Sequence, residues 1–156
     1  MRFSESERVI RCMKFLLGLI GEPHGHINFV LHAASREERR YAVFSAGDSD
    51  GDLFAEQVVL YVNDNVPLLP EEDLSVEEIA IHEVRHVIQY RRGSQNYDSY
   101  LALWRRMALS VGNDRTFILF RGCCTAARGD ALEADAMFVT ALAYDLDYPV
   151  HEVLVL

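Results

Sequence analysis

Three extended runs crowd into residues 27–63, and no comparable cluster follows them. "INFVLHAA" (27–34), "YAVFSA" (41–46) and "EQVVLYVN" (56–63) are rich in β-branched and aromatic residues, and turn-forming residues bound them. The first two are joined by the charged turn 35–40, the last two by "GDSDGD" (47–52). Residues 4–20 precede them with apolar positions at helical intervals: Val9, Ile10, Met13, Leu16, Leu17 and Ile20. Ser4 and Glu7 have capping-box spacing at the start, and "GEPHGH" (21–26) ends the run.

From residue 75 onward the periodicity is helical again. Ser75 and Glu78 repeat the capping-box spacing at the head of a helix running to about Arg92 and stopped by Gly93. A second helix fits 97–110, the run 115–121 is apolar without a clear period, and a last helix covers about 128–146, ahead of Pro149. Helix, small sheet, then helices is an α+β order. The expected fold is a small, twisted, mostly antiparallel sheet of about three strands on the helix at 75–92, with further helices around it.

At 156 residues the chain suits one domain, taken here as 1–156. A net charge of −9 with no basic stripe argues against a nucleic-acid partner. The longest early apolar run, "FLLGLIG" (15–21), is well short of the roughly 20 residues a bilayer span needs, so no membrane role is expected. Acidic residues in "RFSESERVIRCMK" are unlike a secretory leader. Three cysteines, two of them the neighbours Cys123 and Cys124, make poor disulfide material, which points to a reducing cytoplasm.

The chemistry concentrates in "IAIHEVRHVIQY" (79–90). Four residues turn a helix by about 400°, so His82 and His86 lie about 40° apart and one turn along the axis. Two imidazoles so placed can meet one metal ion at about 2.0–2.1 Å each. Glu83 falls about 100° from His82, too far round to be a third ligand but placed to act on a metal-bound water. A wet helix face would show the same pattern. Val76, Ile79, Ala80, Ile81, Val84, Val87 and Ile88 fill one arc, with Glu78, His82, Arg85, His86 and Gln89 opposite. The strand 56–63 shortly before the motif is the expected edge that would hold an extended peptide.

A catalytic zinc needs a third protein ligand. "GDALEADAMFVTALAYDL" (129–146) offers Asp130, Glu133 and Asp135. Glu133 lies away from the apolar arc of Leu132, Phe138, Val139, Leu142 and Leu146, where an exposed helix glutamate would also lie. Asp135 falls inside that arc, so it needs a partner, either a metal-binding histidine whose ring it would orient or an arginine.

"HEVRH" followed by "LEADAMF" resembles the compact zinc metallopeptidases of gluzincin type, especially the ImmA/IrrE-like group and related small phage or bacterial proteins. The resemblance covers roughly residues 56–145. It implies a zincin-like fold, Zn2+ as cofactor, a peptide or protein as substrate, His82, His86 and Glu133 as ligands and Glu83 as the catalytic base. Asp135 and Ala136 take the acid–alanine places after the ligand, which makes Asp135 a ring-orienting partner or an alternative ligand.

Other residues carry less. Asp48, Asp50 and Asp52 alternate, but Leu53 and Val59 stand where a calcium loop needs Gly and Glu, so 47–52 reads as a turn. His24 and His26 form an H-x-H pair in a polar turn, His32 and His151 stand apart, and Cys123 and Cys124 read as small buried residues. Tyr97, Tyr100 and Tyr144 are candidate oxyanion donors, with Tyr144 on the same helix as Glu133. The competing reading is a non-catalytic, zinc-binding regulatory or partner-binding protein on the same scaffold.

Overall fold

The computed structural model describes residues 1–46, 56–68, 75–93, 102, 104–105 and 114–156. Among these the chain is α+β, with three strands and five helices: α1 (Phe3–Leu19), β1 (Asn28–Ala33), β2 (Ala42–Ala46), β3 (Glu56–Val62), α2 (Val76–Arg91), α3 (Asp114–Ala126), α4 (Ala131–Asp145) and α5 (Val150–Val153). The loop 47–52, Tyr97 and Tyr100 lie outside the described residues. So does most of the helix expected at 97–110, of which Ala102, Trp104 and Arg105 are described and helical. The chain divides into two compact units, Met1–Val84 and Arg85–Leu156, and the division falls inside the uninterrupted helix α2.

In the first unit the strand order is β1-β3-β2, with β1 parallel and β2 antiparallel to β3. The sheet is therefore mixed rather than mostly antiparallel. The turn 35–40 does not close a hairpin between β1 and β2, because β3 lies between them. The same order corrects the reading of 56–63 as an edge: both sides of β3 are paired, as suits the most deeply buried of the three strands. Among the described residues the edge strands are β1 and β2. Val58 and Leu60 of β3 are buried in this unit, as are Val9, Met13, Leu16 and Leu17 of α1.

Capping follows the expected spacing at α2 but not at α1. The Ser75 hydroxyl accepts from the Glu78 N–H at 3.1 Å, and the Glu78 carboxylate accepts from the Ser75 N–H at 3.3 Å. At α1 the helix starts earlier than Ser4. The N–H of Arg2 donates to the Glu5 carboxylate at 2.7 Å, and the Ser6 hydroxyl turns back to the Phe3 carbonyl.

In the second unit the expected helix at 128–146 is shorter at its start, because the chain reverses between α3 and α4. Arg128 (φ 52°) and Gly129 (φ 82°) are both left-handed, and the Asp130 side chain then caps α4 by accepting from the Glu133 N–H at 3.2 Å. The run 115–121 is the body of α3. The core here centres on Phe138, which meets Trp104 and Phe120 edge-on at ring-centre distances of 5.0 and 5.3 Å.

Candidate metal centre

Helix α2 has no wet face over its middle turns. Glu83, Arg85 and Gln89 are 4%, 0% and 3% exposed, and His82 and His86 are half-buried. A solvated stripe would leave these side chains in water, so each needs a partner inside the protein.

The partners sit on α4. Arg85 donates through Nε to Asp135 Oδ2 at 2.6 Å, through Nη2 to Oδ1 at 3.3 Å, and through Nη1 to the Leu154 carbonyl at 2.8 Å. Trp104 Nε1 donates to Asp135 Oδ1 as well. Asp135 thus finds the arginine partner that its place in an apolar arc demanded. Both its oxygens accept, and it stands outside the group of His82, His86 and Glu133. Gln89 Nε2 donates to Asp135 Oδ2 at 2.7 Å and to the Leu132 carbonyl at 3.0 Å. Those two acceptors fix the amide's orientation and turn its oxygen to His86, whose Nδ1 lies 2.8 Å away.

On the other side of the same ring, His86 Nε2 stands 3.1 Å from Glu133 Oε1. His82 precedes His86 by one turn of the continuous helix. One ligand atom from each of His82, His86 and Glu133 lies within 4.8 Å of the other two. Among the described residues this is the single group of three or more His, Cys, Asp or Glu close enough to share a metal ion. Glu133 is brought there by the cap at Asp130, which sets the first turn of α4.

In the first unit, the Glu83 carboxylate accepts from the Phe44 backbone N–H at 2.9 Å. Phe44 lies on edge strand β2, so this N–H leads away from the ladder with β3. The residue expected to act as base is thereby tied to a strand edge, in a contact the motif alone does not foretell.

The remaining candidates stand elsewhere. Tyr144 lies on α4 three turns beyond Glu133, roughly 16 Å along the axis. His26 Nε2 is bound to the buried Glu56 carboxylate, while His24 Nδ1 lies 3.2 Å from the Glu22 carbonyl. His32 meets the edge of Tyr61, and exposed His151 lies 4.0 Å from Glu152. All three cysteines are free thiols, and burial pushes Cys123 up to about 11. No helix among the described residues is long and apolar enough to cross a membrane.

Sequence reasoning placed Arg85 and Gln89 on a wet face and did not single out Trp104. The available signal was Asp135: a carboxylate within an apolar arc calls for buried donors, and Arg85 and Gln89 are one turn apart on the motif helix. Compared with protein-family models, with curated proteins and with solved structures, the chain matches none.

Proposed function

We propose that this chain is a zinc metallopeptidase on a zincin-like scaffold, hydrolysing peptide bonds in a peptide or protein substrate. The observation that carries the reading is the position of the His86 ring between two acceptors, Gln89 Oε1 at Nδ1 and Glu133 Oε1 at Nε2. A neutral imidazole has one N–H and cannot satisfy both; an imidazolium can, and so can a neutral ring with a cation at Nε2. A divalent cation shared by His86 Nε2, His82 and Glu133 accounts for acceptor facing acceptor, and two imidazoles with one carboxylate are a donor set that suits zinc.

Bound zinc would supply a Lewis acid that polarises the scissile carbonyl and makes water a better nucleophile. Glu83, next to His82 and steadied by the Phe44 N–H, is the base. It accepts a proton from the attacking water and delivers it to the leaving amine nitrogen. The Arg85–Asp135–Gln89 network holds α2 and the first turn of α4 in register, so the ligands do not have to be ordered when the metal arrives.

The burial of Glu83 and its bond to β2 support a second reading. In it Glu83 is a structural tie, and zinc serves as a clip or sensor in a protein that does no chemistry. Metal analysis of the wild type beside His82→Ala, His86→Ala and Glu133→Ala tests what the two readings share. About one zinc per chain in the wild type and a large loss in each variant is expected. Equal zinc in all four proteins would remove the site.

A further inference from the structure

Gln89 makes contacts that reach both sides of the proposed zinc site. Its Oε1 faces His86 Nδ1 at 2.8 Å, and its Nε2 donates at 3.0 Å to the carbonyl of Leu132, the residue directly before Glu133. A third bond, 2.7 Å to Asp135 Oδ2, anchors the amide to a carboxylate that Arg85 and Trp104 also hold. Gln89 is 3% exposed, so water does not compete for these bonds.

We propose that Gln89 is the positioning residue of this site, fixing His86 as the Nδ1–H tautomer so that Nε2 is the metal-binding atom, and spacing His86 from Glu133. The inference rests on the zinc reading above and deepens it. Both acceptors near Nε2 of Gln89 require N–H donors, so the carbonyl end must face the imidazole, and only an N–H at Nδ1 can meet it. A ring so held presents its Nε2 lone pair toward Glu133. Partners of metal-binding histidines act in this way, and losing one typically costs 10–100-fold in affinity. In this chain the partner comes from the same helix, three residues on, and it also grips the segment that carries the third ligand.

The test uses the full chain with zinc alone. Zinc affinity is measured by chelator competition for the wild type and Gln89→Leu, and the zinc-loaded wild type is examined by 15N NMR of its histidines. We expect Gln89→Leu to bind zinc about 10–100-fold more weakly. In the wild type, His86 should show a metal-bound Nε2 and a slowly exchanging Nδ1–H. Gln89→Leu affinity within twofold of wild type would overturn the role of Gln89 while leaving the zinc reading intact. So would His86 bound through Nδ1, a result that does not depend on any variant folding. A wild type that binds no zinc would instead overturn the underlying reading, and this inference with it.

Discussion

Arg85 and Asp135 form an ion pair at 2.6 Å in which neither side chain meets solvent, one turn of helix from the proposed ligand His82. A pair of this kind contributes little relative to well-packed apolar residues, but breaking it leaves an uncompensated charge in a low-dielectric interior. Asp135→Ala therefore should destabilise the protein by about 3–5 kcal/mol, since it strands the guanidinium and also removes an acceptor from Trp104 and Gln89. Urea unfolding measures this. The double variant Arg85→Met, Asp135→Leu should lose less than the sum of its single substitutions, and strict additivity would show that the pair is not coupled.

Glu83→Gln separates chemistry from metal binding. Its zinc content should match the wild type, because Glu83 is not in the ligand group. Peptide hydrolysis should fall by about 10²–10⁴-fold, the usual contribution of a general base. Full activity in this variant would exclude the proposed mechanism. A wild type that loads zinc but cleaves no peptide from a diverse library would favour the clip or sensor reading.

The start of α2 offers a cleaner energetic test, because its capping box is reciprocal. Ser75→Ala removes the acceptor for the Glu78 N–H and should cost about 1 kcal/mol, visible as a lower urea midpoint with an unchanged m-value. A neutral result would mean that tertiary packing alone fixes where this helix begins.

Cys123 gives a pH dependence with a definite sign. Burial raises its folded pKa from an ordinary 9.0 to about 11, with the neighbouring Cys124 thiol and Asp145 adding to the effect. The folded state therefore holds its proton where the unfolded chain has begun to lose it. The associated stability is complete below about pH 9 and is lost as pH rises through about 11. Cys123→Ala should flatten the decline of the urea midpoint over that window, whatever its effect at neutral pH. An unchanged alkaline slope would assign the decline to other groups.

Much of this was legible in the sequence. The three strands and the motif helix appear within a residue or two of where alternation and capping place them, because those signals are local. Strand order was not legible. Nothing in residues 35–40 says whether the next strand pairs with the last, and here β3 takes the place between β1 and β2. The polar side of α2 was misread for a related reason. A helical projection separates polar from apolar positions, but it does not tell a solvated arginine from one buried against a carboxylate 50 residues later. Asp135 was the exception, since its own surroundings demanded a donor.

The corner at Arg128 and Gly129 has a consequence for insertions and deletions. Two successive left-handed residues followed by the Asp130 cap fix where α4 starts, and the third residue of that helix is Glu133. A single residue added just after Asp130, with corner and cap kept, would swing the Glu133 carboxylate by about 100° around the helix axis. Chain length through these few positions is therefore as strong a constraint on the proposed site as the chemical identity of its proposed ligands.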